Sequence, residues 1–254
     1  MIRKQSLAAL VTVVVVVFAV AGNVQAVESV KPATLTAKPE NATDATQKSA
    51  LRSSADEVLK QLLAGNARFV KGELQNPRRN PDDFRAVAKA QFPVAVIVAC
   101  ADSRVAPELL FDMGVGDLFV IRVAGNVVDG AGVTVKGSIE YAIAELHVPL
   151  VVVLGHSNCG AVKSAVVHID HKDSLPGAIN GLVELIKPAV LKAQGQPGDI
   201  YANATRENVR IGVAKLKNLQ PILAPGVKKG SVKVIGGVYD LHTGKVELLP
   251  SELN

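Results

Sequence analysis

Four runs that are apolar but for Arg122 and Lys233 mark the chain: Pro93 to Ala99, Leu118 to Val123, Leu150 to Leu154 and Val232 to Val238. A strand with one wet face alternates apolar and polar side chains; one covered on both faces has no reason to alternate. These runs therefore predict the strands of a mostly parallel sheet. Between them the spacing becomes helical. Val58, Leu59, Leu62, Leu63, Phe69 and Val70 predict an opening amphipathic helix, a helical arm that the breaker Asn76-Pro77-Arg78-Arg79-Asn80-Pro81 ends. A short helix is expected from Phe84 to Ala90. Pro107 suits the first turn of a helix that Gly114 closes. Further stripes are Ile139, Ala142, Ile143 and Leu146, then Leu182, Ile186, Ala189 and Val190 with a kink expected at Pro188, then Val209, Val213 and Leu216. Thr243-Gly244 predicts a turn into an edge strand, Lys245 to Leu249. Strands alternating with helices predict a doubly wound α/β fold. The expected strand order is 2-1-3-4, with an antiparallel edge strand.

The first 26 residues read differently. Arg3 and Lys4 precede an apolar stretch from Leu7 to Ala21, and Val24-Gln25-Ala26 is a small-x-small cleavage site. This predicts a signal peptide over 1–26 and an exported, periplasmic or secreted product; a retained anchor would reach the same compartment. Residues 27–49, rich in Ala, Thr, Pro, Lys and Glu, predict a flexible linker, leaving 50–254 as one domain. Composition fits a globular α/β domain, with 48% apolar residues and no Trp. The net charge is +5, and the leader holds two of the positive charges and no acid, so cleavage leaves +3. With no Lys/Arg-rich run, no nucleic-acid partner is expected.

The chemistry gathers where strands end. The first apolar run passes into Cys100-Ala101-Asp102-Ser103-Arg104 and the third into Gly155-His156-Ser157-Asn158-Cys159-Gly160. Sites in open α/β sheets form beyond the carboxyl ends of strands where the order reverses. Order 2-1-3-4 would bring Cys100 to face His156 and Cys159. Two thiolates and an imidazole suit tetrahedral zinc, and three protein ligands leave a position open for catalysis. The competing reading is a disulfide between the only two cysteines of an exported chain. Of the other histidines, His147 suits a helix end, His168 and His171 a polar surface loop, and His242 a turn.

At these residues the chain resembles the β-class carbonic anhydrases, whose Cys-x-Asp-x-Arg stands at Cys100 to Arg104 and whose Gly-His-x-x-Cys-Gly stands at Gly155 to Gly160. The likeness runs from about Phe84 to Tyr239, through Arg122-Val123-Ala124-Gly125-Asn126 and Ile139-Glu140-Tyr141. It implies one zinc per subunit on Cys100, His156 and Cys159, and reversible hydration of carbon dioxide to bicarbonate and a proton through zinc-bound hydroxide. Asp102 would aim the hydroxide and Arg104 hold Asp102 ionised; if that pair breaks, Asp102 could become a fourth zinc ligand. Substrate contacts implied are Gln91, Phe119, Tyr141 and Gly160, with Ala124 widening the pocket. Ile97 replaces the Trp that an inhibitory bicarbonate site in some members requires. The family's pocket Phe and Tyr come from a neighbouring subunit and its N-terminal helix packs over the partner, implying a homodimer or tetramer. Similar sites hydrolyse carbon disulfide or carbonyl sulfide, and the motifs alone leave that alternative open.

Overall fold

A computed structural model describes residues 53–129, 132–169 and 175–250. The predicted signal peptide and the whole of the predicted linker fall outside them, as does His171. Each apolar run forms a strand: β1 (Ala95–Ala99), β2 (Leu118–Arg122), β3 (Leu150–His156) and β4 (Lys233–Tyr239), with β5 (Val246–Leu248) at the edge. The order is β2-β1-β3-β4-β5, the first four parallel and β5 antiparallel to β4, as the sequence predicts.

Every residue of β1 and β3 is buried because helices cover both faces. On one face Val96, Val98, Val151, Val153 and Val234 pack under α4 (Val133–Ala144) and α7 (Ile200–Lys217), through Val135, Ile139, Val209 and Val213. Val209 sits in a notch of two glycines: a Cβ at Gly155 or Gly236 would come within 2.6 Å of its methyls. This lets α7 lie close over the carboxyl end of β3, where His156 stands. On the other face Ile97, Ala99, Val152, Leu154 and Ile235 meet Val58 and Leu62 of α1 (Ala55–Lys71). Each large side chain so buried contributes roughly 1.5–3 kcal/mol. Ser54 and Glu57 form a capping box at the start of α1, and Gly72 ends it in a left-handed conformation. The helix thus packs on this chain's own sheet, whatever its outer face does with a partner.

Three local expectations change. The short helix α2 spans Pro81–Ala86 rather than beginning at Phe84. Pro81 opens it at the first turn, where a missing N–H costs nothing, so the residue read as a breaker is a start. Helix α3 covers only Pro107–Leu110, not the stretch to Gly114. Asp112 turns left-handed there, and its buried carboxylate takes Arg68 Nε at 2.7 Å and the N–H groups of Gln75 and Asn76 at 2.9 Å. Helix α6 (Ile179–Ala193) runs through Pro188 without a break, and buries Val183 in place of Leu182. Helices α5 (Gly160–Val167) and α8 (Leu223–Lys228) complete the set. No helix of the described residues is long and apolar enough to cross a membrane.

Candidate metal centre

The sheet register brings the two motifs together. Ala99 pairs with Leu154, so Cys100, one step beyond β1, lies beside the Gly155–His156 end of β3. The chain then turns through Asn158, in a left-handed conformation, and Cys159 caps the start of α5. The Cys100 and Cys159 sulfurs and a His156 ring nitrogen lie within 4.8 Å of one another, all on buried residues.

This arrangement fits a zinc ion. The sulfurs are 4.0 Å apart, about twice a disulfide bond length of ~2.05 Å, and both cysteines are free, which overturns the disulfide reading. A tetrahedral zinc with ~2.3 Å bonds holds two sulfurs about 3.8 Å apart, close to the distance here. His156 is fully buried, with Nδ1 2.9 Å from the Ser157 carbonyl oxygen. A carbonyl only accepts, so Nδ1 carries the proton and Nε2 presents its lone pair. Among the described residues Nε2 has no hydrogen-bond partner. A buried acceptor left unsatisfied costs about 1–3 kcal/mol, an expense a cation removes.

The sulfurs are prepared for the same role. Cys100 Sγ accepts the N–H of Gly125 at 3.2 Å and of Asp102 at 3.4 Å. The shared hydrogen bond from Cys159 is the largest influence holding the Cys100 thiol well below its ordinary range; the His156 ring and these two N–H groups add to it against burial. The same contact, burial and the Cys100 charge push Cys159 up, while the Ala161 and Val162 N–H groups at the start of α5 pull it down. Two thiols this close share one proton, and binding a divalent cation displaces it.

Asp102 and Arg104 stand at the rim. Arg104 donates from Nε to Asp102 Oδ1 at 2.9 Å and from Nη2 to Oδ2 at 2.8 Å, and its backbone N–H reaches Oδ1 at 3.0 Å. This fork is what holds the Asp102 carboxyl well below the usual carboxylate range. Asp102 Oδ2 lies 3.9 Å from His156 Nε2, beside the ligand set and outside it.

The expected substrate residues divide. Gly160 opens α5 next to Cys159, and Ala124 lies in a 3-10 turn just before Gly125. Phe119 pairs in register with Val96, four residues upstream of Cys100 or roughly 13 Å along the strand. Tyr141, on α4, lies against it, with ring centroids 6.3 Å apart. Gln91 is exposed before β1, at the end opposite Cys100. Within one subunit these three do not meet the Cys-His-Cys cluster. Two contributors have no role in the sequence reading, although Arg122 lies within the stretch of likeness. Arg122 donates to the carbonyls of Cys100 at 3.2 Å and Asp102 at 2.6 Å, stitching down the loop that carries both. Asn208, buried on α7, donates to the Gly125 carbonyl at 2.8 Å and so aims its N–H at the sulfur. A charge closing an apolar strand and a polar residue beside a buried helical stripe were the only signals of them. Of the remaining histidines, His147 and His242 are exposed and His168 is half-buried at the end of α5.

A family model described as carbonic anhydrase matches residues 95–246. The carbonic anhydrase of Mycolicibacterium smegmatis is 41% identical over 189 residues, 74% of this chain and 90% of that protein. Carbonic anhydrase 2 of Mycobacterium tuberculosis has the same identity and coverage. Among solved structures, the Coccomyxa β-carbonic anhydrase in complex with acetazolamide has a TM-score of 0.58 and 28% identity, with 84% of this chain and 87% of that chain covered. Sequence likeness across three-quarters of the chain and the Cys-His-Cys cluster at the crest of the sheet agree: this chain belongs to the β-class carbonic anhydrases.

Proposed function

We propose that the chain reversibly hydrates carbon dioxide to bicarbonate and a proton, using one zinc ion per subunit held by Cys100, Cys159 and His156 Nε2. The observation that carries this is the buried imidazole nitrogen with no protein partner, set beside two thiols. Zinc, when bound, supplies the Lewis acidity that makes water a nucleophile near neutral pH. The protein's own groups do the rest. Asp102, kept anionic by Arg104, can only accept, so it takes a proton-mediated contact from the attacking water and directs an oxygen lone pair toward the substrate carbon. Arg122 fixes the backbone that carries Cys100 and Asp102, so the aim is set before substrate arrives.

Gln91, Phe119 and Tyr141 complete the substrate pocket from a second copy. Their distance from Cys100 within one subunit supports this, as does the exposure of Val133 and Tyr141 on one face of α4. The assembly is a homodimer or a multiple of it. The leader over 1–26 directs the chain to the periplasm or outside the cell.

Stopped-flow hydration of carbon dioxide, measured with zinc content in wild type and Cys159→Ser, tests the reading. Wild type should hold one zinc per chain and hydrate rapidly; the variant should lose zinc on dialysis and at least about a hundredfold in rate. Full hydration by zinc-free protein would refute it. Hydrolysis of carbonyl sulfide without carbon dioxide hydration would move the substrate.

A further inference from the structure

We propose that Ser157 and Asp240 are positioning residues for His156, forming a latch at the end of β4 that sets how tightly the chain holds its metal. The inference rests on the metal reading above. His156 depends on a single carbonyl, that of the next residue, to keep Nδ1 protonated and Nε2 turned to the sulfurs. Such a contact between neighbours in sequence is only as firm as the peptide that offers it.

The residue that offers the carbonyl, Ser157, is held from outside through its own N–H and side chain. The β3–β4 ladder ends at His156 opposite Tyr239, and the Ser157 N–H extends it by donating to the Tyr239 carbonyl at 2.9 Å. Ser157 Oγ accepts the Leu241 N–H at 2.9 Å. The turn that presents Leu241 is folded around Asp240, whose Oδ1 takes the N–H groups of His242 at 3.1 Å and Thr243 at 2.7 Å, and the Thr243 hydroxyl at 2.9 Å. The Gly244 N–H closes the turn onto the Asp240 carbonyl at 2.9 Å. Asn66 of α1 anchors the turn in its place, donating to the Gly244 carbonyl and accepting the Val246 N–H, both at 2.9 Å. Ser157 is thus gripped by Tyr239 and Leu241, on either side of Asp240. Asp240 fixes the turn that holds the Leu241 N–H against the Ser157 hydroxyl.

Removing the Ser157 hydroxyl loosens the residue that carries the carbonyl against His156 Nδ1, without touching a proposed metal ligand. The expected result for Ser157→Ala is a zinc affinity about 10- to 100-fold weaker in competition with a chromogenic chelator, the range for groups behind a ligating histidine. Asp240→Ala should weaken it likewise, and Ser157→Thr, which keeps the hydroxyl, should restore most of it. In the cobalt(II) form the d–d bands of Ser157→Ala should shift, since they report ligand geometry. Val135→Ala, in the core under α4, provides a comparison that lowers the apo unfolding midpoint without reaching the site; its zinc affinity and cobalt spectrum should match wild type. The latch is overturned if Ser157→Ala binds zinc as wild type does, or if its affinity falls only as far as that of a Val135→Ala protein of equal midpoint. Wild type that binds no zinc would overturn the metal reading and the latch together; wild type that binds zinc beside an unaffected Ser157→Ala sinks the latch alone.

Discussion

Gly125→Ala tests how closely the site is built. Gly125 has φ 69° and ψ 17°, a left-handed conformation that costs an L side chain about 1–2 kcal/mol. A Cβ there would meet Ile186 Cδ1 at 2.7 Å and Ala161 Cβ at 3.2 Å, against about 3.5–4.0 Å for unstrained carbons. Ile186 is fully buried among Val183, Val190 and Val162, so its tip cannot retreat the ~0.8 Å needed to reach that range without moving α6. Such overpacking costs about 1–3 kcal/mol. The two together remove roughly 2–5 kcal/mol, a large part of a stability of about 5–15. With a urea slope of about 2.5 kcal/mol per molar, the midpoint should fall by ~1–2 M at matched protein concentration. The same displacement carries the N–H away from the Cys100 sulfur and the carbonyl away from Asn208, so zinc should bind about tenfold more weakly. Gly160→Ala is the contrast: nothing lies within 4 Å of its Cβ, and the midpoint should stay within ~0.2 M. A Gly125→Ala protein with a wild-type midpoint and wild-type zinc affinity would refute the reasoning.

Three further outcomes are expected. Arg104→Gln should slow hydration at least tenfold while leaving the profile above pH 6 unmoved. The depressed Asp102 carboxyl stays charged until the pH reaches its lowered value, and the stability tied to it, full above the ordinary ~3.9, is lost as pH falls from there toward that value; without Arg104 the carboxyl returns toward ~3.9, still ionised at neutral pH. A profile displaced by a unit or more above pH 6 would show that Arg104 acts on another group. Because two thiolates offset the charge of a zinc ion, wild-type hydration should climb into the alkaline range, and a rate flat from about pH 6 to 9 contradicts that. Sedimentation should show a dimer or larger species, with Tyr141→Lys shifting it to monomer and lowering activity; a fully active wild-type monomer would remove the partner-supplied pocket.

Short-range physics made much of this protein legible in its sequence. Apolar runs mark the strands of a parallel sheet packed between helices, and four of them did so to within two residues at each end, the inner strands β1 and β3 fully buried and the edge strand β2 only partly. The Cys100-His156-Cys159 cluster was legible because two thiols and an imidazole just beyond strand ends have few other uses. Local signals misled where a neighbour from elsewhere intervened. Pro81 starts a helix, and Asp112, clamped by Arg68 and two N–H groups from after α1, ends one early. What only the tertiary structure decided is distance. The β1–β3 register sets Cys100 beside His156, while the β1–β2 register holds Phe119 away from both. Arg122 on the Cys100 loop, Asn208 on Gly125 and the 240–244 turn on Ser157 are hydrogen bonds between segments 20 to 84 residues apart. Such contacts exist only once packing has fixed both partners, and no periodicity along the chain encodes them.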